Sequence, residues 1–176
     1  GSIPSEIGLL TGLTELHLEW NNQFIGLVPS EIILLKNLTS LTFGSSFLTG
    51  TIPSQIGLLT GLTVLNLDFS SMTGSIPSEI GLLQNLTVLT FLHNDLTGTI
   101  PSEIALLQNL TDLFLYGNSL TGSIPSVVGM LTNLTSLGLG ANKLTGSIPS
   151  EIGMLTGLTR IYLHHNNLIG SIPSEI

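Results

Sequence analysis

Leucine and isoleucine recur along this chain in a fixed order, separated by one or two variable residues. In residues 111–118, for example, apolar and variable residues alternate. A period of two is typical of a short strand with one buried face. Seven stretches share the pattern, and the predicted inward residues are Leu16/Leu18, Leu41/Phe43, Leu65/Leu67, Leu89/Phe91, Leu113/Leu115, Leu137/Leu139 and Ile161/Leu163.

The alternating stretches belong to a repeat. A glycine that is separated by one residue from an Ile-Pro or Val-Pro pair returns every 24 residues, with one interval of 25, at Gly1, Gly26, Gly50, Gly74, Gly98, Gly122, Gly146 and Gly170. A period of this size indicates one small unit stacked on itself, because a single unit cannot bury its apolar face alone. We therefore interpret residues 1–176 as a single array of seven repeats and the start of an eighth. No polar cap is recognisable, so we expect the array to be part of a longer one or to have its ends covered by other molecules.

The rest of the unit predicts how each turn is completed. Asparagine ends the strand at Asn21, Asn94, Asn118, Asn142 and Asn166, where its amide can bond to the adjoining backbone. Ser46 and Ser70 replace it in two turns, which we expect to be looser. Glycine then allows a bend, and proline favours entry into a short helical or 3₁₀ segment.

A second position alternates between glycine and asparagine. It is occupied by Gly12, Gly61, Gly157, Asn37, Asn85, Asn109 and Asn133. Because Gly and Asn tolerate a positive φ best, a left-handed backbone is predicted there.

The unit Leu-x-x-Leu-x-Leu-x-x-Asn-x-Leu-Thr-Gly-x-Ile-Pro-Ser-Glu-Ile-Gly resembles the plant-type leucine-rich repeat over the whole chain. The resemblance implies an α/β fold: a right-handed solenoid with a parallel β-sheet on its concave face, short second strands and 3₁₀ segments outside. Receptor-kinase ectodomains, polygalacturonase-inhibiting proteins, an ice-binding homologue and repetitive algal and diatom arrays have similar repeats. The chain lacks the cysteine-bearing caps of the receptors and inhibitors.

The net charge of the chain limits the kinds of partner that it is expected to bind. Three basic residues stand against eleven acidic ones, for a formal charge of −8, and cysteine is absent. Nucleic acid is a poor ligand for such a chain, because phosphate binding requires clustered Lys and Arg. Membrane insertion is not expected either, since no stretch reaches the roughly 18 apolar residues of a membrane span.

Variation between repeats is concentrated at the outward strand positions, which hold all four histidines, the only tryptophan, both tyrosines and the only arginine. Exposed aromatic rings among polar groups are typical of binding surfaces. We predict a ligand-binding concave face formed by Trp20, Phe69, His93, Asp112, Phe114, Tyr116, Arg160, Tyr162 and His164. Within it, we expect Phe114, Tyr116 and Tyr162 to be separated by the flat turn Ser136-Gly138-Gly140. The competing interpretation is that outward positions drift because nothing constrains them.

Catalysis is not expected, and no cofactor or metal is predicted. Glu15, His17 and Glu19 share a strand face, but residues two apart lie roughly 6 to 7 Å from each other, so contact requires side-chain reach. His164 and His165 are adjacent and should point to different faces or along the rim.

Four Asn-Leu-Thr sequons predict N-glycosylation at Asn37, Asn85, Asn109 and Asn133. Together with the resemblance to ectodomains, they favour an extracellular or cell-surface location. The competing explanation is that the repeat itself supplies both Asn and Thr.

Three functions therefore remain open. The leading hypothesis is a non-enzymatic module that binds a protein, peptide or glycan. The second is a filament or matrix component that assembles end to end or side by side through an outer stripe of Leu9, Leu34, Leu58, Leu82, Leu106, Met130 and Met154, unless that stripe is partly buried. The third is ice binding by a hydroxyl grid of Thr49/Thr51, Thr73/Ser75, Thr97/Thr99, Thr121/Ser123 and Thr145/Ser147.

Overall fold

The computed structural model describes residues 1–21, 24–45 and 47–176. The chain is a right-handed solenoid with a parallel sheet of seven strands along its concave face. These strands are β1 (Glu15–His17), β3 (Ser40–Thr42), β5 (Val64–Asn66), β7 (Val88–Thr90), β9 (Asp112–Phe114), β10 (Ser136–Gly138) and β11 (Arg160–Tyr162). They pair in chain order, one strand from each turn.

A second, shorter parallel sheet is formed by the first four turns. Its strands are β2 (Ile25–Leu27), β4 (Phe47–Thr51), β6 (Ser71–Ser75) and β8 (Asp95–Thr97). Seven 3₁₀ segments complete the turns at Ser5–Leu9, Ser30–Leu34, Ser54–Leu58, Ser78–Leu82, Ser102–Leu106, Ser126–Met130 and Ser150–Met154. The predicted α/β solenoid, with second strands and external 3₁₀ segments, is confirmed.

The core is a continuous column of the inward residues. Strand pairing sets Leu41 opposite Leu65 and Leu89 opposite Leu113, so identical side chains stack turn on turn. Residues of the inner turns, such as Phe43 and Phe91, are fully buried. Burial falls at the ends, where Leu18 and Leu163 are half-buried and Ile161 is exposed. This is because β1 and β11 each pair with a single strand of the sheet.

In the fourth, fifth and sixth turns, the asparagine after the concave strand connects three strand and turn segments. The Asn94 side chain accepts a hydrogen bond from the Met72 amide at 3.0 Å and donates to the carbonyls of Leu67 at 2.8 Å and Leu92 at 3.1 Å. Asn118 and Asn142 repeat the arrangement one and two turns on. The amide therefore serves as both donor and acceptor, as predicted.

The serine that replaces asparagine in the third turn makes a weaker connection. The Ser70 hydroxyl donates one hydrogen bond of 3.4 Å, to the Asp68 carbonyl, and this bond does not link two turns. The corresponding prediction for Ser46 lies outside the described residues. Ser70 therefore lacks the bonds to neighbouring turns that Asn94 makes, while the looser packing expected there stays a prediction.

The predicted left-handed backbone at the Gly/Asn position is wrong. None of Gly12, Gly61, Gly157, Asn37, Asn85, Asn109 and Asn133 has a positive φ. Asparagine is used there for its side chain, which donates to a carbonyl of the preceding turn; the bond from Asn85 to Thr60, for example, is 2.9 Å. The left-handed residues lie instead just after the concave strands, at Trp20, Ser45, Phe69, His93, Gly117, Ala141 and His165, and at the glycine before the Ile-Pro pair.

Glycine in the 3₁₀ segments allows successive turns to approach closely. A Cβ on Gly129 would lie within 2.7 Å of the Glu151 Cβ, and one on Gly81 would lie 2.9 Å from the Glu103 Cβ. In both cases the Cβ would also overlap the backbone of the next turn. Where the repeat departs from glycine, at Ile33 and Ala105, the glutamate of the next turn is also replaced, by Gln55 and Val127. The two positions therefore vary together where the segments meet.

We expect Asn94→Ala to lower the free energy of unfolding by about 2 kcal/mol, because the buried Met72 amide and the Leu67 carbonyl would lose their partner. Urea denaturation would measure the loss. Asn167→Ala, at an exposed position beside the equivalent asparagine of the last turn, is the matched control and should change stability by less than about 0.5 kcal/mol. Equal stability of Asn94→Ala and the parent would contradict the structural role given to the amide.

Candidate functional site

The concave face consists of four side chains per turn: three outward strand positions and the left-handed residue that follows. Large and small sets alternate along part of the stack. The fifth turn carries Asp112, Phe114, Tyr116 and Gly117, the sixth carries Ser136, Gly138, Gly140 and Ala141, and the seventh carries Arg160, Tyr162, His164 and His165. The small sixth turn therefore lies between two turns with bulky side chains.

Five rings form a continuous series, here called the aromatic row: Phe69, His93, Tyr116, His164 and Tyr162. Phe69 stacks on His93 with ring centroids 4.7 Å apart. The Tyr116 ring lies 5.3 Å from His93 and 5.4 Å from His164, and so bridges the fourth turn to the seventh. Tyr162 follows at 6.4 Å from His164. Ring contacts thus join five of the nine predicted site residues.

The small residues of the sixth turn are covered by two aromatic rings of the fifth turn. A Cβ on Gly138 would lie 2.5 Å from Cδ1 of Phe114, and one on Gly140 would lie 2.9 Å from Cδ2 of Tyr116. The Phe114 and Tyr116 rings therefore lie against the glycines of this turn, and Ser136, Gly138 and Gly140 are buried. The flat turn expected between these two rings and Tyr162 is therefore covered by Phe114 and Tyr116. The rings can lie over it because glycine has no side chain to keep them away.

The ion pair between Asp112 and Arg160 spans the same turn. The Arg160 guanidinium lies 3.7 Å from an Asp112 carboxylate oxygen, and its Nε donates to the Ser136 hydroxyl at 3.0 Å. The other Asp112 oxygen accepts from the Thr111 hydroxyl at 2.8 Å. The pair fixes the edge of the concave face beside Phe114. Its net contribution to stability is small, because more than half of the Arg160 side chain is in solvent.

Trp20 stands apart from the aromatic row. It is 79% exposed and follows Glu19 at the end of the first concave strand. The side chains of that strand do reach one another: His17 lies 3.4 Å from Glu15 and 3.7 Å from Glu19. These distances are shorter than the backbone spacing alone predicts, because the side chains extend toward one another.

The Thr42 hydroxyl of the next turn completes this cluster. It donates to Glu19 at 2.5 Å and lies 2.9 Å from Nδ1 of His17. The hydrogen bond from Thr42 is the main cause that lowers the pKa of Glu19. Because the Thr42 proton is directed at the carboxylate, the cluster holds a negative charge in place rather than activating the hydroxyl.

Asp68 occupies an outward position but is 9% exposed. One carboxylate oxygen accepts from the Thr90 hydroxyl and from the Leu92 amide, both at 2.6 Å. Burial raises the pKa of Asp68, while these two hydrogen bonds oppose the rise. This residue was not predicted as a site residue, and it supports the backbone next to His93.

One residue of the histidine pair extends the ring contacts beyond the predicted set. The His165 ring meets His164 edge to face at a centroid distance of 5.2 Å, so the two imidazoles do not point to different faces. His165 has a φ of 55°, which turns its side chain back toward the concave side. A left-handed residue after the strand has no sequence signal when a bulky side chain occupies it, so strand alternation did not place His165 among the predicted site residues.

Three further features lie outside the concave face. The outer stripe residues are about half exposed, except Leu9, which is 75% exposed. The Cδ1 atoms of Leu82 and Leu106 lie close above Gly57 and Gly81 of the preceding turn. The four sequon asparagines and the Thr/Ser grid are exposed. Partial burial is therefore what the structure shows for the stripe, while lateral packing stays a prediction.

Family models of the leucine-rich repeat match residues 85–107 and 109–131, and a two-copy model matches residues 132–175. The chain belongs to the leucine-rich-repeat family. Comparison with curated proteins at the level of sequence returns no match.

Solved structures extend the match to 99% of the array. The Arabidopsis receptor kinase HAESA, in complex with the peptide hormone IDA and a co-receptor, is 35% identical with a TM-score of 0.95, and the array covers 29% of it. A TDR receptor is 34% identical with a TM-score of 0.86, and 34% of it is covered. A plant ice-binding protein is 29% identical with a TM-score of 0.73, and 71% of it is covered.

The structural neighbours include leucine-rich-repeat receptors solved with peptide hormones, which supports a ligand-binding module of this family. The array spans about a third or less of the first receptors it matches. Within the described ranges, no helix has the length and hydropathy needed to cross a membrane.

We expect Gly138→Ala to displace the Phe114 ring and to lower the free energy of unfolding by about 1 to 2 kcal/mol, because the new methyl overlaps the ring. Urea denaturation would measure the loss, and the aromatic proton shifts of Phe114 would report the movement. Gly12→Ala is the control, since a Cβ there meets nothing within 4 Å. Unchanged Phe114 shifts in Gly138→Ala would show that the ring does not rest on this turn.

We expect Asp68→Asn to be more stable than the parent at pH 7 by about 1 kcal/mol, because the amide keeps an acceptor for Thr90 and Leu92 without a buried charge. The folded pKa of Asp68 is raised, so its folded state binds the proton more readily and stability falls as pH rises from the unfolded pKa through the folded pKa. The advantage of Asp68→Asn should therefore vanish as pH is lowered. Chemical denaturation across pH would test this, with exposed Asp95→Asn as control.

Proposed function

We propose that the concave face binds an extracellular peptide or protein ligand, with the aromatic row, Phe114 and the Asp112–Arg160 pair as its contact surface. The observation that carries the proposal is the aromatic row itself. Its members come from four different turns of a repeat that is otherwise nearly invariant, yet their rings contact one another in series. Chance drift at outward positions gives no reason for such continuity.

Pre-organisation strengthens the proposal. Phe114 and Tyr116 pack against the glycines of the sixth turn, and Tyr116 lies between His93 and His164. Rings that are already packed in this way lose little conformational entropy when a ligand covers them. Large aromatic side chains that are fixed in this way are the usual anchors of a binding surface. Trp20 belongs to the same face and would contact the part of a ligand that reaches the first turn.

The proposal can be tested by selecting ligands from a displayed library of random nonapeptides and measuring the synthesised winners by calorimetry. We expect Phe114→Ala and Tyr116→Ala to weaken binding by about tenfold or more each, the usual effect of removing an aromatic anchor. Phe47→Ala removes a more exposed ring, from the second sheet, and should leave affinity unchanged. Affinity that depends on Phe47 and not on the two concave rings would place the ligand elsewhere.

The extracellular part of the proposal predicts glycan at the four sequons. Asn37, Asn85, Asn109 and Asn133 are exposed, and each uses one amide hydrogen for a bond of 2.8 or 2.9 Å to the preceding turn. The second amide hydrogen of each is left for attachment. Secretion from a eukaryotic host should add mass that an endoglycosidase removes. Secreted protein of unmodified mass would overturn this part.

Ice binding is a second candidate, favoured by the hydroxyl grid on the second sheet and by the plant ice-binding protein among the structural neighbours. Thr73, Thr121 and Thr145 donate to the carbonyls of Gly50, Gly98 and Gly122, which fixes the orientation of their hydroxyls at the surface. Thermal hysteresis at micromolar protein that is lost in Thr97→Leu but kept in Thr132→Leu would support this candidate. Absence of hysteresis in the parent chain would dismiss it.

A further inference from the structure

The concave face is acidic and offers no unpaired positive charge among its described arginine and lysine side chains. Its carboxylates are Glu15, Glu19, Asp68 and Asp112, and its one guanidinium is that of Arg160. Arg160 is already occupied by Asp112 and Ser136. Lys36 bonds to the Leu58 carbonyl, at the end of a 3₁₀ segment on the outer side. A ligand of this face therefore meets negative charge and aromatic rings.

The negative charge is held at the first turn, two turns before the aromatic row begins at Phe69. The Thr42 hydroxyl keeps Glu19 oriented, and Glu15 is two-thirds exposed beside it. Trp20, which directly follows Glu19, presents most of its ring to solvent. Aromatic faces beside carboxylates attract ammonium and guanidinium groups, the rings through their quadrupole and the carboxylates through direct charge attraction.

We infer that the ligand of the concave face is an extended, basic peptide segment whose Lys or Arg side chains contact Glu15, Glu19 and Trp20 and whose remainder lies along the aromatic row. The inference rests on the proposed function and specifies the chemistry of its ligand. Charge complementarity selects a cationic ligand and disfavours anionic ones, because like charges facing each other across an interface cost affinity.

The shape of the face selects an extended ligand. Neighbouring rings of the row lie 4.7, 5.3, 5.4 and 6.4 Å apart, which leaves a platform without deep pockets between them. Seven strands spaced by roughly 4.8 Å span about 29 Å from the first turn to the last. An extended chain advances roughly 3.3 Å per residue, so about nine residues cover the face. Such a segment touches both the acidic end and the aromatic row.

The test uses two displayed nonapeptide libraries that differ only in their charged residues, one with Lys and Arg and the other with Asp and Glu. We expect binders from the basic library alone. Titration of a synthesised binder should change the fluorescence of Trp20, the only tryptophan in the chain. The double variant Glu15→Gln/Glu19→Gln should weaken binding by about tenfold, and raised salt should weaken binding to the parent.

The matched control is Glu79→Gln/Glu103→Gln, which removes two carboxylates from the outer 3₁₀ segments. Binding that this control weakens as much as Glu15→Gln/Glu19→Gln would mark general charge attraction and overturn the inference. Binders from the acidic library would also overturn the inference. So would a neutral glycan that binds the face in a glycan-array screen while the basic library yields no binder. If such ligands lose affinity in Phe114→Ala, the proposed function survives and only the basic peptide is rejected. If no ligand of any class is sensitive to Phe114→Ala, both fail.

Discussion

Hydrogen bonds from each turn to the next are the constraint on which the rest of this structure depends. A unit of 24 residues has too little apolar surface to fold alone, so each turn is stable only when its neighbours satisfy its backbone. Strand pairing supplies these bonds on the concave side, and the Asn94-type amides supply them where the strand ends. Asn85-type amides and Thr87-type hydroxyls supply them at the start of the next strand. These positions vary little between repeats because each of these residues forms a hydrogen bond to the preceding turn.

The same constraint leaves the concave side chains free to vary. Outward strand residues make no required backbone contact, so the stack tolerates Gly138 in one turn and Tyr162 in the next. The variation is useful only because successive turns are so close. A ring from one turn can lie over a small residue of the following turn, and a guanidinium can span the turn between to reach a carboxylate. The site is therefore assembled from differences in side-chain size between neighbouring turns.

Charge is distributed along this face in a way that the size pattern does not determine. The first turn holds two carboxylates about a histidine, and the seventh holds the arginine that pairs with Asp112. A ligand that lies along the stack would meet these ends in order. Polarity of this kind fixes the direction in which an extended chain binds, which a uniform face of the same composition could not do.

The sequence by itself determined the solenoid, because a strict period with alternating leucines allows only stacked turns with one buried face. It also indicated which face carries the variable rings, since inward and outward residues alternate along each strand. The position of the left-handed residues, the contact between His164 and His165, and the buried Asp68 were decided only by the tertiary structure. Each depends on how far a side chain reaches into the neighbouring turn and on how the backbone leaves the strand. Neither is encoded in the period, because the period states which residues are equivalent and not which of them touch.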